Sequence, residues 1–281
     1  MHVDVITIFP EMFPRVLGAS ILKRAQEAGR LRVSVHNLRD YTHDKRRTVD
    51  DRPFGGGPGM IMKPEPLFEA VEAVRRSCGA CTPTSNGGAS RARVPRARTS
   101  TGPVGGCQTI LLSPQGERLT SRLAQRLASA EHLILICGHY EGVDERIRYS
   151  LVDQSVSIGD YVLTGGELPA MVLVDCLARF IPGVIGHEQA TREESFAEGW
   201  LEYPQYTRPA VFRDMAVPKV LRSGDHTRIA RWRKLQSVAR TLSVRPDLAA
   251  GRQQVGRVSA AAARRRTKPV THAERRRCRK D

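Results

Sequence analysis

Long apolar runs are missing from this chain. None approaches the ~18–20 residues of a membrane span, so no membrane helix is expected. The opening Met1-His2-Val3-Asp4-Val5-Ile6-Thr7-Ile8-Phe9-Pro10 has no basic leader, and its proline cuts the apolar run short. It does not read as a secretory signal, and a cytoplasmic protein is expected. No Gly-x-Gly-x-x-Gly follows an apolar strand, and Gly-Lys-Ser/Thr does not occur. A Rossmann dinucleotide site and a phosphate-binding P-loop are therefore unsupported. Cysteine is sparse, at six residues. A disulfide framework is not expected in a cytosolic chain of this size. Cys137 and Cys176 sit in apolar runs and read as buried thiols. Cys78-x-x-Cys81 and Cys107 supply three donors of the zinc type, but no fourth Cys or His lies nearby in sequence. A structural zinc is accordingly not expected.

Basic charge is abundant, and its location matters. The formal net charge over 281 residues is +16. Residues 79–106 contain Arg91, Arg93, Arg96 and Arg98 and no acid. Residues 251–281 contain eleven Lys/Arg against Glu274 and Asp281. These two segments hold +13 of the total, so the remainder is only mildly basic. Both are low in complexity and read as an insert (78–106) and a tail (251–281) without a packed core. A bland reading makes them solvated; a functional one makes them non-specific attractors of RNA phosphates.

The rest reads as alternating strands and helices. Strands are expected at 3–9, 31–35, 109–112, 132–137 and 154–158. Helices are expected at 13–29, 64–76, 118–128, 143–150 and 167–180. This order indicates an α/β layer with a mostly parallel sheet, over residues 1–182. Residues 183–207 read as a flexible linker, and 208–250 as a small all-helical domain rich in arginine.

Two glycine-rich stretches stand out: Asp50-Asp51-Arg52-Pro53-Phe54-Gly55-Gly56-Gly57-Pro58-Gly59-Met60 and Ser157-Ile158-Gly159-Asp160-Tyr161-Val162-Leu163-Thr164-Gly165-Gly166-Glu167. Glycine is costly to order, so such loops suggest bare backbone approaching a ligand. Ser113-Pro114-Gln115-Gly116, Gly138-His139-Tyr140-Glu141-Gly142 and residues 158–167 each follow an apolar strand. In an open α/β sheet that end of the strands is where ligands bind. The competing reading is that these glycines only make turns.

Residues 50–60, Leu112-Ser113-Pro114-Gln115-Gly116, 137–142 with Asp144-Glu145-Arg146, 157–171, Arg179-Phe180-Ile181-Pro182-Gly183-Val184, Ser195-Phe196-Ala197-Glu198-Gly199 and Tyr206-Thr207-Arg208-Pro209 follow one another in the order of a known family. The chain thereby resembles the bacterial tRNA (guanine-N1)-methyltransferases (TrmD), of the SPOUT class. The resemblance runs from Val3 to about Leu248, outside the insert and tail. It implies a SPOUT-type domain with a deep trefoil knot, a homodimer with the active site at its interface, and S-adenosyl-L-methionine as cofactor. It also implies methyl transfer to N1 of the guanosine immediately 3′ of the anticodon of tRNA. For the cofactor it indicates Gly138, Ile158, Gly159, Asp160, Tyr161, Val162 and Leu163, with Pro114, Tyr140, Gly165 and Gly166 completing the wall. Glu141 matches a glutamate associated with Mg2+. Asp50, Arg52 and Gly59 are expected to hold the target guanosine, and Arg208 the tRNA backbone.

Guanine N1 carries a proton at neutral pH, so the reaction needs a carboxylate base within hydrogen-bond reach. It also needs a donor at O6, where charge gathers. The family's base is an aspartate directly before Ser-Phe-Ala-Glu-Gly; here that residue is Glu194. Arg179, closing the long apolar helix, matches the arginine beside the target base. Read blandly, Glu194 is a solvated acid and Arg179 a cation favouring the helix dipole. Two alternatives stay open: a non-catalytic tRNA-binding protein of the same fold, and a knotted methyltransferase acting on another nucleoside.

Removing residues 251–281 is expected to weaken tRNA binding mainly at low salt, as screened charges would. Binding titrations over a salt series check this; an unchanged salt dependence means the tail is inert.

Overall fold

The computed structural model describes residues 1–78, 106–186 and 194–249. It divides into two compact units, Met1–Thr191 and Arg192–Asp281. The insert and tail singled out above lie almost wholly outside the described residues.

The first unit is built on a five-stranded sheet. Its strands are β1 (His2–Thr7), β2 (Arg32–Asn37), β5 (Cys107–Arg118), β6 (His132–Cys137) and β7 (Gln154–Ser157). Their order is β2-β1-β6-β5-β7, and every pairing is parallel. Between them run α1 (Pro14–Leu17), α2 (Ser20–Glu27), α3 (Pro64–Ser77), α4 (Ser121–Leu127), α5 (Glu145–Ser150) and α6 (Glu167–Ala178). A small antiparallel pair joins β3 (Asp50–Asp51) to β4 (Ile61–Met62).

Period-two alternation decides which helix covers which face. Leu133, Leu135 and Cys137 of β6 pack with Val3, Val5, Ile110 and Leu112 against α2, α4 and α6. Ile134 and Ile136 point the other way, with Ile6 and Leu111, onto Leu67, Val71 and Val74 of α3 and Ile147 of α5. All six residues of β6 are buried. Burial on both faces is why this strand reads as an unbroken apolar run.

The structure departs from the sequence reading at three places. The helix expected over 13–29 is two helices, because the chain stops at Gly18. A Cβ there would stand 2.8 Å from the Pro14 carbonyl oxygen, and Ser20 restarts the helix from a φ of 49°. The strand expected at 109–112 extends over Cys107–Arg118, but its register against β7 shifts between Leu112 and Glu117. Residues 113–116 therefore arch away from the ladder as a loop. The segment read as all-helical contains one long helix, α7 (His226–Val244), preceded by a hairpin of β8 (Val211–Phe212) and β9 (Met215–Ala216). Arg213 and Asp214 both take positive φ, the geometry of a two-residue hairpin turn, without the glycine that normally announces one. Within the same unit, the Leu201 N–H donates to Thr241 Oγ1 (2.9 Å) and Ser237 Oγ donates to the Leu201 carbonyl (2.6 Å). Residues around 201 are thus bonded to α7, although the sequence reads them as linker.

Ile134 is fully buried in the middle of the sheet. Ile134→Ala is expected to cost about 2–5 kcal/mol of stability, the range for deleting a buried aliphatic side chain. Denaturant unfolding of the full chain measures it, with Val172→Ala on the exposed side of α6 as a near-neutral control.

Candidate active site

Three loops leave the carboxyl ends of the neighbouring strands β6, β5 and β7: residues 138–142, 113–116 and 158–166. Together they line a cavity of about 320 Å3. That volume lies in the range of small-molecule sites, about 300–1,000 Å3. Pro114, Gly138, Tyr140, Glu141, Ile158, Gly159, Tyr161, Val162, Leu163, Gly165 and Gly166 all belong to its wall. Asp160 does not: its side chain is 92% exposed and stands 4.0 Å from Arg118.

The loops are held by their own backbones. The Gly166 N–H donates to the Gly138 carbonyl at 2.7 Å, and His139 pairs with Gly165 in an isolated antiparallel bridge. A Cβ on Gly166 would sit 2.7 Å from Cys137 Cα, closer than real side chains come. A Cβ on Gly116 would run into the backbone of Ser155 and Val156. These glycines therefore serve loop-to-loop contact. Gly138 is different, its nearest neighbour being the Leu112 carbonyl oxygen at 3.4 Å.

A second lip comes from the other glycine-rich stretch. Residues 60–62 run beside 141–144: Glu141 N–H donates to Met60 O (3.1 Å), Met62 N–H to Gly142 O (2.9 Å) and Asp144 N–H to Met62 O (3.0 Å). Gly59, at φ +79°, lies so close to the Glu141 carboxyl that any Cβ would overlap it. The Tyr140 hydroxyl lies near Asp50 and Arg39. Burial, and then the Asp50 carboxylate, raise its pKa. The structure thus brings Asp50 and Gly59 to Tyr140 and Glu141. Arg52 is exposed, with its own N–H donating to Asp51 Oδ1 at 2.7 Å, and is not part of the cavity wall.

Sequence reasoning missed the floor beneath these loops. Glu167, the first residue of α6, is 2% exposed. Its Oε1 accepts from Thr7 Oγ1 at 2.8 Å, and its Oε2 stands 3.8 Å from His139 Nδ1. His139 Nδ1 is buried without a hydrogen-bond partner among the described residues. The available signal was an acid opening a helix whose next charged residue is Asp175. Gln115, Glu145 and Arg148 were also missed; all three line the cavity, and Arg148 Nη2 donates to Gln115 Oε1 at 3.0 Å. Burial, and then Glu167, push the Cys137 thiol well up, which excludes it as a thiolate nucleophile.

The orphaned His139 nitrogen and the many backbone groups of the wall fit a ligand with polar edges, as S-adenosylmethionine has. For magnesium, Glu141 and Glu145 line one cavity, which fits an ion that takes one or two carboxylates and keeps its waters. Among the described residues, no group of three His, Cys, Asp or Glu ligands converges there.

Arg179 caps the end of α6 and is half-buried, outside the wall of this cavity. Glu194 and Arg208 belong to the second unit. Glu194 opens a compact turn in which Ala197 N–H donates to the Glu194 carbonyl (3.2 Å) and Phe196 N–H to the Trp200 carbonyl (2.8 Å). Arg208 lines a separate cavity of about 380 Å3, together with Tyr203, Tyr206, Arg222 and Arg233. The Arg233 guanidinium lies 4.7 Å from the Tyr203 ring centroid.

The comparisons with known proteins agree with one another. A family model described as tRNA (Guanine-1)-methyltransferase TrmD matches residues 1–251. The chain is 54% identical over 250 residues to a tRNA (guanine-N(1)-)-methyltransferase of Moorella thermoacetica, covering 89% of this chain and 90% of that protein. It is 51% identical over 253 residues to a protein of the same name from Halalkalibacterium halodurans, covering 90% and 93%. A third, from Dictyoglomus turgidum, is 48% identical over 248 residues, covering 88% and 89%.

Gly166→Ala is expected to disrupt the loop closure and abolish ligand binding at the cavity. Gly138→Ala is expected to keep the fold while weakening binding, since its methyl group makes only ordinary contacts with Leu112 and Val143 but stands in the cavity wall. Thermal melts and calorimetric titration with S-adenosylmethionine distinguish the two; equal behaviour would mean the loops are not closed through Gly166.

Proposed function

From the premise that the chain belongs to the tRNA (guanine-1)-methyltransferase TrmD family, we propose that it methylates N1 of the guanosine immediately 3′ of the anticodon in tRNA. S-adenosylmethionine, when bound, supplies the methyl group from its sulfonium centre. The observation that carries this reading is the convergence of loop residues from 113–115, 138–143 and 158–166 on one cavity, with Gly59 and Met60 set beside its Glu141.

The residues divide the work by their chemistry. Backbone groups of Ile158, Tyr161 and Leu163 are suited to the edge of an adenine ring, and Val162 and Pro114 to its faces. Asp50, beside Tyr140, accepts from the guanine N1/N2 edge, and Gly59 lets backbone reach the base. The target base must leave its stack to enter. Glu194 takes the N1 proton, and Arg179 offers its planar donors to O6 as charge gathers there. Glutamate reaches about 1 Å further than the aspartate usual at this position, and a ~1 Å misplacement can cost about 10²-fold in rate. A base carried on a segment that adjusts when tRNA binds absorbs that difference. Arg208 and the other arginines of the second unit hold the tRNA through its phosphates. The reading includes a cytoplasmic homodimer completing the site, the knotted chain path, and a magnesium ion at Glu141.

Incubating the full chain with labelled cofactor and tRNA transcripts carrying guanosine or adenosine after the anticodon tests the reading. Label at N1 of guanine supports it. No label with tRNA affinity retained would make the protein a binding module, and a methyl group elsewhere would assign another nucleoside. Glu194→Gln is expected to remove turnover while leaving cofactor affinity nearly unchanged. If Glu193→Gln is the inactive variant instead, the base is its neighbour. Arg179→Ala should raise the barrier by about 2.7–4 kcal/mol, the range for losing one donor to a developing charge, measured as kcat in single-turnover assays.

A further inference from the structure

The opposite, amino edge of the sheet carries a cluster that methyl transfer does not use. Cys107 is the first residue of β5, His132 the first of β6, and the two are paired in register. Cys78 caps the C-terminus of α3. The ligand atoms of Cys78, Cys107 and His132 all lie within 4.8 Å of one another. Both cysteines carry thiols and not a disulfide. From sequence the cysteines alone lacked a histidine nearby; the parallel pairing of β5 with β6 supplies it. We propose that Cys78, Cys107 and His132 bind one zinc ion, which ties the end of α3 and the start of β5 to the buried start of β6.

The donor set selects the metal. Two thiolates and an imidazole suit zinc and disfavour magnesium or calcium, which take oxygen. Tetrahedral zinc with bonds near 2.3 Å to sulfur and 2.0–2.1 Å to nitrogen needs its donors about 3.5–3.8 Å apart. The observed limit of 4.8 Å requires a contraction of at most about 1.3 Å, within reach of a cysteine rotamer change. The partner of the ring's other nitrogen is already in place. His132 Nε2 bonds to Asp4 Oδ2 at 2.5 Å, and Asp4 Oδ1 accepts from His36 Nε2 at 2.6 Å. A metal-ligating histidine commonly gives its other nitrogen to a carboxylate in this way, which fixes the ring and its tautomer. With Nε2 committed to Asp4, Nδ1 is the ring's ligand atom. The His2 ring stacks on His132 with centroids 4.9 Å apart, further restricting its rotation.

The placement also gives the ion a purpose. Cys78 and Cys107 flank the 28 residues between them, which the sequence singles out as an insert. An ion bound there holds the two stems of that segment together and adds its binding free energy to the stability of the fold. The cluster lies at the strand ends remote from the cavity loops, so the ion is structural and the proposal stands whether or not the methyltransferase reading does. A fourth donor is not assigned; Cys81 lies outside the described residues.

The test uses the full chain without a histidine tag, purified under reducing conditions, and its metal content by plasma mass spectrometry. About one zinc per chain is expected, with loss of the ion in both Cys78→Ser and Cys107→Ser. Replacing zinc by Co2+ should give sulfur-to-cobalt charge-transfer absorption and the d–d bands of a tetrahedral site, lost in the same variants. Both serine variants should keep S-adenosylmethionine affinity and melt at lower temperature. Wild-type protein that takes up neither zinc nor cobalt, or variants that retain the metal undiminished, would overturn the proposal. So would a Cys78–Cys107 disulfide found by mass spectrometry in protein isolated without air.

Discussion

One backbone contact organises the candidate site: the 2.7 Å hydrogen bond from Gly166 N–H to the Gly138 carbonyl. It joins the loop after β7 to the loop after β6, although β5 lies between those strands in the sheet. It is possible only because position 166 has no side chain to meet Cys137. With that closure, the last turn of the loop delivers Glu167 beneath His139, and the wall of the cavity faces inward. Without it, three loops would leave three strand ends with no shared interior.

The second constraint is the run of hydrogen bonds between residues 60–62 and 141–144. It couples a stretch more than seventy residues upstream in sequence to the β6 loop. Tyr140 gains Asp50 and Gly59 gains the Glu141 carboxyl as neighbours. The end of the first glycine-rich stretch is thereby joined to the loop after β6. Their glycines have unequal reasons: Gly59, Gly116 and Gly166 permit approaches too close for a side chain, whereas a Cβ on Gly138 would make only ordinary contacts.

A parallel sheet sends all its strand ends one way, and so gives the first unit two chemically distinct edges. At the carboxyl edge, loops open a cavity. Toward the amino edge, buried Asp4 and His132 stand against Cys78 and Cys107, with the half-buried His36 on the other oxygen of Asp4. Burying such groups is costly unless they are paired, and here Asp4 satisfies two histidines at once. The interior between the edges is aliphatic on both sheet faces, which keeps the two sites separate.

The sequence by itself determined the alternation of strands and helices and the strand-end positions of the three loops, while the individual residues of the cavity wall were indicated by the family resemblance. The first two rest on local periodicity and on glycine, both of which act over a few residues. Helix breaks and hairpins were legible only where glycine marked them: Gly18 could have been read, whereas the turn at Arg213 and Asp214 has no such mark. Tertiary structure alone decided that Asp160 faces solvent, that Glu167 is buried under His139, and that His132 stands beside Cys107. Each of these depends on which strand pairs with which, and in what register. A parallel pairing brings together residues far apart in the chain, so no window of sequence contains both partners.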